Sequence, residues 1–152
     1  MNFWDSSAVL PIVLEEPGTP AVQAVQREDP GVVIWWATSV ECVSGICRLR
    51  REGIVDDREL RVVLSELEQL ISETDEIEPS EVVRTTARRL LCTHALRAAD
   101  AFQLAAAIVW AGQPSANHGF VCLDQRLREA ASIEGFHILP ERLEEPAGEE
   151  QP

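Results

Sequence analysis

The sequence predicts an α/β fold: a doubly wound, mostly parallel sheet flanked by helices. Three observations carry that expectation. Short apolar runs of strand length alternate with longer segments of helical period, which is the pattern of a parallel sheet with helical crossovers. The run Val32-Val33-Ile34-Trp35-Trp36 is apolar at every position, as a strand buried on both faces must be. Single acidic residues stand just beyond the strands or inside the first turns of helices, at the end of an open α/β sheet where ligands bind.

Asn2-Phe3-Trp4 is a short buried strand ending at Asp5, and Ser6-Ser7 start a helix that runs to about Glu15. Pro17-Gly18 breaks it, and residues 20 to 28 form a further short helix. The Val32–Trp36 strand follows Pro30-Gly31, with one of its two tryptophans buried at the strand end. Thr38 or Ser39 caps the next helix, which runs to about Arg51, turns Val43, Ile46 and Cys47 to the core and stops before Gly53. Asp56 opens a helix whose apolar stripe is Leu60, Val63, Leu64, Leu67, Leu70 and Ile71. After a short stretch around Ile77 and Pro79, a helix from about Ser80 to Cys92 points Val82, Val83, Ala87, Leu90 and Leu91 inward. An alanine-rich helix spans about Ala98 to Ala111. Phe120 to Leu123 is a strand, Gln125 to Ala131 a helix and Phe136 to Ile138 a last strand. Residues 1–140 thus form the domain, and 141–152 an acidic tail with too little apolar content to pack.

At 152 residues the chain is one domain with room for a proper core. No apolar run reaches the roughly 18 residues of a membrane span, and Met1 to Leu10 lacks the basic start of a signal peptide, so a cytoplasmic protein is expected. Cys42, Cys47, Cys92 and Cys122 form no C-x-x-C pair and suit core thiols. His94, His118 and His137 are isolated, which excludes a zinc site or a Cys/His nucleophile pair by spacing. Net charge is −13 and every basic residue is arginine. Nonspecific nucleic-acid binding needs clustered positive charge, so any RNA or DNA must be met by a local patch.

Asp5, Glu41, Asp100 and Asp124 are the candidate site. Oxygen ligands suit Mg²⁺ or Mn²⁺, and carboxylates brought together tolerate their repulsion when a cation lies among them. Each also has a plain structural reading. Asp5 and Asp124 suit helix N-caps, Asp100 complements a helix dipole, and Glu41 can pair with Arg48. Gly45 and Arg48 share the helical face of Glu41, and Asp100 shares one with Gln103, Leu104 and Ala107, where an uncompensated charge is costly.

The segments around those acids, Asn-Phe-Trp-Asp5-Ser-Ser-Ala, Thr-Ser-Val-Glu41-Cys-Val-Ser-Gly-Ile-Cys-Arg, Leu-Arg-Ala-Ala-Asp100-Ala-Phe-Gln-Leu-Ala-Ala-Ala and Phe-Val-Cys-Leu-Asp124-Gln-Arg-Leu, resemble in order the four signature blocks of PIN-domain ribonucleases. Among these the chain is most similar to VapC-type toxins, over residues 1 to about 139. The resemblance implies a PIN-like three-layer sandwich with a five-stranded sheet, and hydrolysis of RNA phosphodiesters by water activated at Mg²⁺ or Mn²⁺. It implies that Asp5, Glu41, Asp100 and Asp124 are the catalytic metal ligands, with Asp124 acting directly or through water. Ser6 or Ser7 would orient the first carboxylate, and Arg48 and Arg97 would grip RNA, with Arg50 and Arg51 beside them. A homodimer and a cognate antitoxin are the implied partners.

Two other acid-bearing folds fit poorly. A receiver domain relies on a late lysine, and the chain has none; a haloacid-dehalogenase-like phosphatase needs a second aspartate where Ser7 stands. A noncatalytic PIN-like binding or regulatory module is the alternative that retains the acids.

Overall fold

The computed structural model describes residues 1–112 and 115–143. Five strands, β1 (Asn2–Trp4), β2 (Val32–Trp35), β3 (Asp75–Ile77), β4 (Gly119–Val121) and β5 (His137–Leu139), form one sheet in the order β3-β2-β1-β4-β5. All four strand pairings are parallel. Among the described residues seven α-helices cover the sheet: α1 (Ser6–Val13), α2 (Thr19–Glu28), α3 (Thr38–Arg51), α4 (Asp57–Ser72), α5 (Glu81–Thr93), α6 (Ala98–Ala111) and α7 (Gln125–Ile133). The expected three layers follow from strand alternation. Phe3, Val33, Trp35 and Phe120 face a core built with α5, α6 and α7, while Trp4, Val32, Ile34 and Val121 face one built with α1 to α4.

Local sequence explains where the elements begin. Asp56 caps α4 by accepting from the backbone N–H of Arg58 and Glu59, and Glu59 returns a bond to the Asp56 N–H. Ser80 caps α5 through the Val83 N–H. Alanines at 105 to 107 in α6 are fully buried and let that helix lie close on the sheet. Arg128 is buried, and its guanidinium donates to the backbone oxygens of Cys122, Leu139 and Pro140, tying the ends of β4 and β5 together.

Several expectations need correction. In α5 only Val83, Ala87 and Leu90 are buried, whereas Val82 and Leu91 are exposed because they lie on the flanks of a stripe that α6 covers narrowly. Val43 in α3 is exposed, and Cys42 takes the core position beside Ile46. Cys92 stands on the solvent face of α5, so the thiols of Cys42 and Cys122, not all four, belong to the core. Trp35 is buried and Trp36 is half exposed, as the strand end requires. The strand at Asp75–Ile77 lies where the sequence suggests only a short connecting stretch. It pairs with β2 alone and carries two exposed acids, so it lacks the apolar run of an inner strand. Most of the expected acidic tail, residues 144–152, lies outside the described residues. Among the described residues no helix is long and apolar enough to cross a membrane.

Candidate functional site

The chain enters the sheet at β1, moves outward on one side through β2 and β3, then returns to the other side of β1 with β4 and β5. The carboxyl ends of β1 and β4 are therefore the point where the winding reverses, the crevice in which such sheets bind ligands. Asp5 immediately follows β1 and Asp124 follows β4.

Asp5 is nearly fully buried, with extended backbone that makes it the N-cap of α1; its carboxylate accepts the Ser7 N–H at 3.0 Å. The Cys122 thiol donates to Asp5 Oδ2 at 3.6 Å. Burial raises the Asp5 pKa above the ordinary carboxylate value, and the negative charge of Asp100 raises it further, against the lowering effect of the Ser7 and Cys122 bonds. Glu41, half-buried in the first turn of α3, is gripped at both oxygens. Ser6 Oγ donates to Oε2 at 2.8 Å and Gln103 Nε2 donates to Oε1 at 3.3 Å. Its pKa is also raised, first by burial and then by Asp5 and Asp100, despite the two donors. Asp100, in the first turn of α6, is raised by burial and by Asp124, while Arg97 and Arg126 pull it down. Asp124 is exposed at the rim and caps α7 through the Leu127 N–H at 2.9 Å.

Three of the four acids thus feel one another directly, and the fourth joins them through Asp100. Burial grades from Asp5 at the floor to Asp124 at the mouth. As the side chains stand, no three acidic, histidine or cysteine groups among the described residues are gathered tightly enough to ligate one ion. The candidate donors are nevertheless all carboxylate oxygens, those of Asp5, Glu41 and Asp100 partly or wholly desolvated, a donor chemistry of the kind that suits Mg²⁺ or Mn²⁺.

The two serines serve two different acids. Ser7 serves Asp5 through its backbone N–H, and its hydroxyl accepts from Leu123 N–H at 2.9 Å. Ser6 reaches across to Glu41. Arg97 stands beside the acids, lining an open groove of about 630 Å³ with Asp100, Asp124, Gln125, Arg126 and Glu129. Arg48 does not join them: it lies on an exposed face near the end of α3, 4.0 Å from Glu52 and near Glu16, whose pKa burial raises and the Arg48 charge brings only partly back. Arg50 likewise turns away to Asp57. Arg126 and Gln103 are the residues that sequence reasoning passes over. Arg126 was legible as the second residue after Asp124, on the exposed face of the helix that acid caps. The histidines stay outside the site; His94 Nε2 is 2.8 Å from Glu134 Oε1, and His118 packs edge-on against Trp110.

No family model matches the chain, and no curated protein matches it. Solved structures do. PAE2754 from Pyrobaculum aerophilum superposes with a TM-score of 0.59 at 14% identity, over 90% of this chain and 87% of that one. FitAcB from Neisseria gonorrhoeae gives 0.64 at 16% identity, over 91% and 96%. FitAB bound to the IR36 DNA fragment gives 0.65 at 16% identity, over 95% and 99%. A five-stranded, all-parallel sheet in this order, covered by helices on both faces and matched nearly end to end by these structures, means that the protein has the PIN-like fold.

Proposed function

We propose that the protein is a metal-dependent endoribonuclease and the toxin component of a toxin–antitoxin pair. The observation that carries this reading is the convergence of Asp5, Glu41 and Asp100, from three separate elements, toward the reversal point of a PIN-like sheet, each disfavoured as an anion first by burial and then by at least one neighbouring carboxylate. Structural acids with no ligand to hold are seldom placed this way, since desolvation and repulsion both oppose them.

Asp5, Glu41 and Asp100 would hold Mg²⁺ or Mn²⁺, with Asp124 at the mouth. A divalent ion bound there supplies charge neutralisation at a phosphodiester and a lowered pKa for attacking water. The chain's own residues do the rest. Ser7 and Cys122 fix the Asp5 carboxylate, and Ser6 and Gln103 fix Glu41. Arg97 and Arg126 flank the groove, where their planar guanidinium forks suit phosphate oxygens. With a net charge of −13, the protein needs such a local cationic rim to admit an anionic polymer.

Cleavage of an RNA oligonucleotide should require Mg²⁺ or Mn²⁺, stop with EDTA, and be lost in Asp100→Asn with the fold retained. Undiminished cleavage by Asp100→Asn would sink the site assignment. The noncatalytic alternative draws support from the loose spacing of the acids as they stand. Calorimetric titration with Mn²⁺ separates the two, because a module that has lost its chemistry binds the ion weakly or not at all.

Two partners complete the reading. An apolar groove between α3 and α4, lined by Val40, Val43, Leu64, Leu67 and Ile71, supports a homodimer packed through helices. The antitoxin would present a basic tail to the acidic cleft, where an arginine or lysine displaces the cation and blocks RNA together. A partner that binds while leaving both Mn²⁺ affinity and cleavage unchanged would overturn this mode of control.

A further inference from the structure

Gln103 lies in α6, one turn beyond Asp100, and is completely buried. A buried amide persists at low cost only when its polar atoms are bonded. Here both amide hydrogens have acceptors: Nε2 donates to Thr38 Oγ1 at 3.0 Å and to Glu41 Oε1 at 3.3 Å. The Thr38 hydroxyl lies 3.4 Å from Gln103 Oε1 on the return side. The amide cannot be turned over without setting its oxygen against a carboxylate oxygen, because Glu41 as an anion only accepts. Thr38 is also fully buried, so the Thr38–Gln103 pair forms a rigid back wall behind Glu41.

We infer that Gln103, held by Thr38, is a positioning residue that fixes the Glu41 carboxylate for cation binding. The inference rests on the nuclease reading for the role of Glu41, and on geometry alone for the contact. A neutral donor suits this task better than a cationic one. Arginine at 103 would pair with Glu41 and stand in for the ion, whereas an amide orients the carboxylate and leaves its charge free for the metal. Ser6 holds the other oxygen from α1, so Glu41 is fixed from two elements.

The test uses the full chain and Mn²⁺ alone as probe, with RNA cleavage measured separately. Gln103→Met keeps length and apolar bulk but removes both donors; Thr38→Val removes the hydroxyl, and Thr38→Ser restores it. We expect Gln103→Met to weaken Mn²⁺ about tenfold or more and to lower kcat with KM for RNA unchanged, since a buried residue does not touch the substrate. Thr38→Val should move the same way and Thr38→Ser should be close to wild type. In divalent-free protein, the side-chain amide resonance of Gln103 should shift on Glu41→Gln. If Gln103→Met fails to fold, the Thr38 pair and the amide resonance carry the test. Loss of Mn²⁺ binding in Glu41→Gln with affinity within twofold of wild type in Gln103→Met would overturn the positioning role and leave the nuclease reading intact. A wild-type protein that binds no Mn²⁺ would defeat the nuclease reading instead. Gln103 is then judged by its resonance: an unmoved signal overturns the contact, and a shifted one upholds it as a hold on Glu41.

Discussion

Replacing Asp5 by asparagine should stabilise the divalent-free protein while abolishing cleavage, and both effects have one cause. Asp5 is 3% exposed, and its stabilisation as an anion comes from Ser7, by side chain and backbone N–H, and from the Cys122 thiol. Removing a carboxylate from water costs several kcal/mol even after relaxation, while a bond to a charged acceptor returns about 1.5–3 kcal/mol. Asparagine keeps the acceptor for Ser7 at about 1 kcal/mol and has no charge to desolvate. The balance favours the variant by about 1–3 kcal/mol at pH 8, or roughly 3–9 °C in Tm for a chain of this size. Asp5, Glu41 and Asp100 are all held above the ordinary carboxylate range, so the folded state binds protons more readily than the unfolded one. Divalent-free stability is therefore greatest below the unfolded carboxylate range and falls as pH rises through the folded pKa values. The gain from Asp5→Asn should be largest at pH 8 and fade on acidification, when the wild-type carboxyl is already neutral. Thermal melts of both proteins in EDTA between pH 5 and 8 measure this. A variant less stable than wild type at pH 8, or a gap that does not narrow in acid, would refute the reasoning.

Arg128→Met should destabilise the fold by about 3 kcal/mol, read from the urea midpoint, because one buried and two partly buried carbonyls lose a charged donor at once; a loss under about 1 kcal/mol would mean that water replaces the guanidinium. Gly119→Ala should cost about 1–3 kcal/mol, since its Cβ would fall 2.1 Å from Asn2 Oδ1 and 2.9 Å from Asn2 Cγ across the β1–β4 pairing. An unchanged melting temperature would show that Asn2 moves aside freely. Light scattering at micromolar concentration should report a dimer, and Val43→Asp in the α3–α4 groove should shift it to monomer; monomer throughout for the wild type would rule out that association.

Inner elements were legible because burial on both faces leaves little choice of residue. Val32–Trp35 and Phe120-Val121 are apolar throughout, and α6 announces itself by alanine and by a lone Asp100. The edge strand Asp75–Ile77 was not, because one neighbour and two solvent-facing side chains impose no apolar pattern. Helix faces were read too broadly at Val82 and Leu91, where period alone does not say how wide a stripe the neighbouring helix covers. Of the site, local order along the chain located the four acids beside strand ends and helix starts. The partners of Glu41 come from α1 and α6, far away in sequence, so the crossing of Ser6 to Glu41 and the grip of Gln103 required the fold itself. Arg48 shows the converse: a place on the same helical face as Glu41 did not bring it to the cleft, because two turns carry it down the helix beyond the sheet end.

The edge strand has a bearing on how copies of the chain can meet. β3 offers open backbone along one margin of the sheet, and the residues that display it are Asp75 and Glu76, both facing solvent. Two such margins aligned side by side would bring carboxylates together on both faces of the joined sheet, since Asp75 and Glu76 alternate in direction, with no lysine anywhere in the chain to separate them. At the opposite margin β5 is three residues long and is followed directly by Pro140, which has no N–H to extend a ladder. Among the described residues both margins of the sheet thus disfavour growth by strand addition. Crowding of this protein in a cell should produce discrete assemblies through helical faces in preference to fibrous ones, and loss of charge at residues 75 and 76 is where that safeguard would fail.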